Sequence, residues 1–306
     1  MKPKNSNHIL TCEQYSKENL AEIFRLADDI VSNPKKYIKS LEGKVVATLF
    51  YEPSTRTRLS FETAALRLGA AIVSTENARI ASSEVKGESL KDTIKTTAGY
   101  ADAIVLRHSD IDSAEVAASV SNVPILNAGS GSGEHPTQAL LDLYTIKQLK
   151  TDFNNLKVAV CGDLLHGRTI HSLIKLLSLY DDITIYGLSR DFFKLLQKYI
   201  DFIEARGVKY IPCSEFEELP NDLDIIYHTR TQLERFAHET CGNIEEYIIN
   251  NKIMDKFGDK TYIMHPLPRV NEIDDEIDED HRAVYFKQAH NGLPIRMALL
   301  LKSIKN

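Results

Sequence analysis

Paired cysteines are missing from this sequence. Its four cysteines, Cys12, Cys161, Cys213 and Cys241, stand far apart, and no Cys-x-x-Cys spacing occurs. That argues against a zinc ribbon or a dithiol redox site. A chain of 306 residues can bury a core without crosslinks, so reduced thiols in a cytoplasmic protein are expected. No segment approaches the roughly eighteen apolar residues that span a bilayer. Met1 to Gln14 likewise lacks the apolar stretch of a signal peptide. A membrane partner is therefore not expected. Positive charge is short as well. The formal net charge of −6 argues against nucleic acid as a partner, although a basic pocket can oppose the net field locally. Internal repeats and low-complexity linkers are absent. The acidic run Asn271 to Asp280 has no glycine at a metal-loop position, which excludes an EF-hand. It reads as a solvated surface segment.

What is present is the composition of a globular domain, 43% hydrophobic and 26% charged. Short β-branched apolar runs recur: Val45 to Phe50, Ala71 to Ser74, Ala103 to Leu106 and Val123 to Leu126. A second series follows at Lys157 to Cys161, Ile183 to Tyr186, Val208 to Ile211, Asp224 to Tyr227 and Tyr262 to Met264. Nearly unbroken apolar runs of this length predict parallel strands buried on both faces. Helical stripes alternate with them. Leu20, Ile23, Phe24, Ala27, Ile30 and Val31 form one behind Ser16, a plausible N-cap. Leu59, Phe61, Ala65 and Leu68 form a second, closed by Gly69. Ala139 to Ile146 forms a third with Pro136 in its first turn, and Ile170 to Leu177 a fourth. The expected fold is α/β with two domains, each built on a central, mainly parallel sheet flanked by helices. The boundary falls in the polar stretch Lys150 to Asn155.

Six segments carry candidate chemistry. Phe50 to Phe61 leaves a strand and enters a helix, which puts Ser54, Thr55 and Thr57 at a helix N-terminus. Unpaired N–H groups and the positive dipole end favour phosphate there, and Arg56 and Arg58 add charge that can grip it in a fork. The same residues would also suit a plain helix start with two surface arginines. His135 and Gln138, three apart on a helix face, follow the glycine-rich loop Asn127 to Gly133. A lone histidine in such a place can equally be structural. Arg107-His108 directly follows a strand, as do Cys161 to Thr169, Thr229 to Arg235 and His265-Pro-Leu-Pro-Arg269. Residues 162–169 nearly match a nucleotide P-loop, but Arg168 stands where that loop needs lysine. Arg168 at a helix start could instead hold a carboxylate. Placement at strand ends argues for one shared cleft.

Ser54-Thr-Arg-Thr-Arg58, His135-Pro-Thr-Gln138 and His265-Pro-Leu-Pro268 together resemble the transcarbamylase family, in its order and spacing along essentially the whole chain. The resemblance implies a carbamoyl-phosphate domain over residues 1–149, with a C-terminal helix at 290–306 packing back on it, and an aspartate domain over residues 150–289. It implies that Ser54, Thr55, Arg56 and Thr57 bind phosphate. Thr57, Arg107 and His135 would hold the carbamoyl oxygen and Gln138 the carbamoyl nitrogen. Arg168, Arg230 and Gln232 would bind aspartate, with Leu267 and Pro268 contributing backbone groups. Ser82 and Lys86 match a loop that the family donates to a neighbouring subunit, where it meets both substrates. The catalytic residues are then Arg56, Thr57, Lys86, Arg107 and His135. The implied partners are carbamoyl phosphate, L-aspartate and two further copies of the chain in a homotrimer, with a separate regulatory chain as a candidate. No cofactor and no metal is implied. The reaction gives N-carbamoyl-L-aspartate and phosphate, an early step of de novo pyrimidine biosynthesis.

Two alternatives stand beside this reading. Relatives that carbamoylate ornithine resemble His-Cys-Leu-Pro where this chain has His265-Pro-Leu-Pro268, and carry a Ser-Met-Gly motif absent here. Two arginines would also repel the ornithine cation. An inactive, binding-only member would be expected to have lost Arg56, Lys86, Arg107 or His135, and all four are present. Leu165-His166 and Ser130 depart from some relatives, which carry Lys-Tyr and Asp there.

Overall fold

A computed structural model of the chain describes residues 7–76, 87–231 and 247–304. Ser82, Lys86, Gln232 and Cys241 lie outside the described residues. Two compact units are present, residues 1–144 with 291–306, and residues 145–290.

The first unit holds a four-stranded parallel sheet in the order β2-β1-β3-β4, made of β1 (Val45–Phe50), β2 (Ala71–Glu76), β3 (Ala103–His108) and β4 (Ile125–Ser130). Strands β1, β3 and β4 are almost wholly buried, as their unbroken apolar runs predict. Strand β2 is not. It lies at the sheet edge and is largely exposed, which corrects the expectation of burial on both faces. A run of small and β-branched residues suits an edge as well as a centre, because pairing on one side is enough to hold it.

The second unit holds a five-stranded parallel sheet in the order β7-β6-β5-β8-β9. Its strands are β5 (Lys157–Cys161), β6 (Thr184–Leu188), β7 (Lys209–Cys213), β8 (Ile225–His228) and β9 (Tyr262–Met264). Strand β7 is the other largely exposed edge. In each sheet the chain starts near the middle, builds to one side, then jumps to the other. The reversal falls between β1 and β3 in the first sheet and between β5 and β8 in the second. Crevices at the carboxyl ends of such neighbours are where open α/β sheets bind ligands.

Helix α1 (Lys17–Ser32) starts at Ser16, whose hydroxyl accepts from the Asn19 N–H. Its stripe is buried through Ile30, but Val31 faces outward. Helix α2 (Thr55–Arg67) buries Phe61, Ala64 and Ala65 and exposes Leu59. It closes at Gly69, whose φ of 87° no β-carbon tolerates well. A Cβ there would also stand 2.6 Å from the Ile38 carbonyl oxygen. Short helices α3 (Leu90–Thr97) and α4 (Ser113–Val120) complete this series. Helix α5 (Pro136–Leu149) is buried on nearly all sides. The second sheet is flanked by α6 (Arg168–Leu177), α7 (Gln197–Glu204) and the single turn α8 (Asn251–Met254). Helix α9 (Tyr285–Ile304) closes the chain and runs through Pro294. It begins earlier than the expected residue 290, and its residues from Asn291 onward belong to the first unit. Among the described residues no helix is long and apolar enough to cross a membrane.

Candidate active site

In the first unit, β1 ends at Phe50 and α2 begins at Thr55, with Ser54 at the N-cap. The Ser54 hydroxyl makes no capping bond to its own helix. The first turn of α2 therefore presents backbone N–H groups with three hydroxyls beside them, the arrangement an anion needs. Thr57 is buried, whereas Thr55 and Arg56 are exposed. The two arginines differ sharply. Arg58 reaches Glu76 at 2.7 Å and Glu62 at 3.9 Å, and Glu62 also accepts from Thr48 and Ser74. Arg58 thus ties α2 to the sheet edge. Arg58 is therefore a partly buried tie and not the surface arginine of the plain reading, whereas Arg56 is exposed.

Three strand exits are laced together at this end of the sheet. The Tyr51 N–H donates to the Arg107 carbonyl at 2.9 Å, and the Gly131 N–H donates to the His108 carbonyl at 2.9 Å. The Arg107 guanidinium lies 3.6 Å from Glu52 and donates to the Ala128 carbonyl at 3.4 Å, which aims it along the strand ends. His108 is turned inward instead, its ring tilted against Tyr51 and its Nδ1 accepting from the Asp110 N–H at 3.0 Å. Beyond β4, Ser130 and Glu134 form a tight bridge, which delivers His135 to the start of α5. The His135 carbonyl accepts from the Gln138 and Ala139 N–H groups, and its ring Nδ1 lies 3.4 Å from the Thr137 hydroxyl. His135 and Gln138 are both buried. The turn at residues 54–57, Arg107 and His135 therefore share one end of one sheet.

The second unit repeats the plan. Thr229 donates its N–H to the Cys161 carbonyl at 2.9 Å, so the exits of β5 and β8 run side by side. Gly162, with φ of 101°, permits this approach, since a Cβ would collide with the Thr229 carbonyl oxygen. Buried Asp163 then accepts from the His166 N–H at 2.9 Å and faces its ring at 3.3 Å. The turn so formed sets the buried Arg168 at the start of α6. Arg230 follows β8, half-buried. Leu267, with φ of 57°, and cis Pro268 follow β9.

One side chain organises that last loop. His265 Nδ1 accepts from the Leu267 N–H at 2.8 Å, so Nε2 carries the proton and donates to Glu272 at 2.8 Å. The other Glu272 oxygen accepts from the Val270 and Asn271 N–H groups at 3.0 and 3.1 Å. Glu272, Ile273 and Ile277 are buried, and Asp278 and Asp280 bind Arg269 and Arg282. The acidic run is therefore not simply a solvated segment. Composition hides this because its buried members stand among exposed ones.

These contacts set an acid limit on stability. Burial alone would raise the Glu272 carboxyl, but the His265 and backbone donors outweigh it and hold the group at about 2. Burial lowers His228, stacked near His265, to about 4. Both folded values lie below the unfolded ones, so the unfolded chain binds more protons in acid. His228 stability is lost as pH falls from 6.5 through about 4, and Glu272 stability from 4.5 through about 2. Equilibrium unfolding at graded pH should show a continuous decline over this window. Glu272→Ala, which strands three donors, should cost roughly 3–5 kcal/mol at neutral pH and should flatten the lower part of the decline. An unchanged acid limb would remove Glu272 from this role.

The comparisons with known proteins bear on both units. Residues 7–148 match the family profile described as aspartate/ornithine carbamoyltransferase, carbamoyl-P binding domain, and residues 154–302 the Asp/Orn binding domain. The chain belongs to the aspartate/ornithine carbamoyltransferase family. It is 48% identical over 290 residues to the aspartate carbamoyltransferase catalytic subunit of Clostridium novyi (strain NT), covering 94% of each chain. It is 45% identical to the chloroplastic aspartate carbamoyltransferase of Arabidopsis thaliana, covering 95% of this chain and 76% of that one. Among solved structures, the catalytic subunit of M. jannaschii aspartate transcarbamoylase matches with a TM-score of 0.89 at 44% identity, covering 98% of each chain. Aspartate transcarbamoylase from Trypanosoma cruzi in complex with carbamoyl phosphate and aspartate matches with a TM-score of 0.91 at 35% identity, covering 98% of this chain and 97% of that chain.

Sequence reasoning missed the residues that hold the family motifs in place: Glu52 beside Arg107, Asp142 beside Gln138, and Glu272 beside His265. A usable signal existed for one of them. Asp142 stands four residues beyond Gln138 on the same helix, the spacing at which helical side chains meet.

Proposed function

We propose that this chain is an aspartate carbamoyltransferase, moving the carbamoyl group of carbamoyl phosphate to the α-amino group of L-aspartate in pyrimidine biosynthesis. The observation that carries this reading is the chemistry of the two strand-end sets. One offers a helix N-terminus, hydroxyls and Arg56, suited to a phosphate. The other offers Arg168 and Arg230, suited to two carboxylates. The names of the relatives reported above support the same substrates, and none of these features favours ornithine.

In this reading residues 1–149 with the last helix bind carbamoyl phosphate and residues 150–289 bind aspartate. The neutral amine attacks the carbamoyl carbon. The oxygen that gains charge is met by the Thr57 hydroxyl, Arg107 and His135, donors fixed before the reaction begins. Phosphate leaves onto Ser54, Thr55, Arg56 and the first turn of α2, and takes up the proton that the amine releases. Arg168, Arg230 and Gln232 hold the aspartate carboxylates, with Leu267 and Pro268 supplying backbone contacts. Ser82 and Lys86 complete the site from a neighbouring copy, which makes the active unit a homotrimer. Buried thiols at Cys161 and Cys213 suit a reducing compartment, and the cytoplasm is the proposed location.

The direct test is product analysis: purified chain with carbamoyl phosphate should form N-carbamoyl-L-aspartate from aspartate and no citrulline from ornithine. Comparable turnover of ornithine would overturn the assignment. Within the same assay, Arg230→Ala should raise the aspartate KM by about 10–100-fold, the weight of a charged hydrogen-bonding contact, and leave the carbamoyl phosphate KM within about twofold. Equal losses for both substrates would exclude Arg230 from aspartate binding.

A further inference from the structure

Gln138 and Asp142 stand one turn apart on α5, and Gln138 Nε2 donates to Asp142 Oδ1 at 2.9 Å. Both side chains are buried. An ionised carboxylate only accepts hydrogen bonds, so the amide must turn its NH2 toward Asp142 and send its carbonyl oxygen the other way. Chemically, that is the orientation a carbamoyl group requires, because the carbamoyl NH2 is a donor. A flipped amide would set NH2 against NH2.

A buried guanidinium feels the Asp142 charge as well. Arg296, on α9, is buried inside the apolar run Ile295 to Leu301. Burial draws its guanidinium down to about 10, and the charge of Asp142 pulls it back up. The Phe61 ring lies 5.2 Å from it. Gly292, one turn earlier, leaves it room, since a Cβ there would collide with the guanidinium. Burying a carboxylate and a guanidinium is often no better for stability than an apolar pair, so stability alone does not account for the arrangement.

We infer that Asp142 is a positioning residue that locks the Gln138 amide to accept from the carbamoyl NH2, with buried Arg296 supplying the opposite charge. The inference rests on the proposed function and adds a specificity device to it. The site distinguishes a carbamoyl phosphate from acyl phosphates that carry a methyl group in place of the NH2.

The test measures binding of carbamoyl phosphate, acetyl phosphate and inorganic phosphate to Asp142→Asn by calorimetry. Asparagine can face Gln138 with either end of its amide, so the lock is lost at constant size. Carbamoyl phosphate affinity should fall roughly tenfold or more, as expected when a buried donor meets no acceptor, while the other two ligands shift by less than about twofold. In a Gln138→Ala background the same change should have no further effect on carbamoyl phosphate. If Asp142→Asn does not fold because Arg296 is left without its countercharge, Asp142→Asn/Arg296→Met removes both charges and is measured instead. Parallel weakening of all three ligands would make Asp142 merely structural, and unchanged carbamoyl phosphate binding would overturn the inference. A wild-type chain that makes no N-carbamoyl-aspartate would instead sink the functional reading, so the two failures are distinguishable.

Discussion

An Arg56→Ala variant should lose about a hundredfold to a thousandfold in kcat, the usual weight of one fixed charge-stabilising group, and should unfold at the wild-type temperature. Arg56 sits in the first turn of α2 with an exposed side chain, so its removal leaves no cavity, and surface changes of this kind shift stability by only about 0.5 kcal/mol. Arg58, two residues on, supplies the internal contrast. Its guanidinium is taken up by Glu76 and Glu62, and Glu62 is itself bonded to Thr48 and Ser74. Arg58→Ala should lower the unfolding temperature by several degrees and cut turnover less. The comparison needs only steady-state kinetics and thermal unfolding of both variants. Near-normal turnover in a folded Arg56→Ala protein would remove Arg56 from the departing phosphate.

That contrast marks how far the sequence could be read. Parallel strands buried on both faces are written as continuous apolar runs, so β1 and β5 were legible almost to the residue. Because a parallel sheet delivers all its strand ends to one side, motifs that follow strands had to gather there. Arg107 and His135 take their positions by that logic, with the ends of β1, β3 and β4 tied by backbone hydrogen bonds, while their roles come from the family resemblance. The division of labour between Arg56 and Arg58 was not legible, because it depends on Glu62 and Glu76 meeting one of them across a helix and an edge strand. Val31 and Leu59 fall on apolar stripes yet face outward. Periodicity reports which face of a helix is apolar, not how wide a stripe the neighbours cover. The Gln138–Asp142–Arg296 arrangement spans α5 and the last helix, and only folding brings its ends together. Helices α3, α4 and α7 span only about two turns each, too short to stand out as stripes.

Activity should reappear when two dead variants, Lys86→Ala and Arg56→Ala, are mixed and allowed to exchange subunits. The motive is the proposed donation of the segment containing Ser82 and Lys86 to a neighbouring copy. This segment follows β2 in sequence, and β2 is a largely exposed edge strand with Val73 exposed, while α2 exposes Leu59 and Leu66. Among the described residues nothing pairs with the outer side of β2, an edge of the kind that invites another chain, and a second copy would cover it. Lysine suits the role, since a flexible point charge can serve two anionic substrates at once. On the proposed trimer, each site would take Arg56 from one chain and Lys86 from the next. With equal amounts of the two variants, three trimers in four are mixed, and each mixed trimer has one site of three with both residues intact. Recovered activity should therefore approach about one quarter of wild type in a closed cyclic trimer, against a background near zero for either variant alone. Native mass spectrometry establishes that exchange has occurred, and the assay then reads the number of repaired sites. Background activity in a fully exchanged mixture would show that Lys86 serves its own chain.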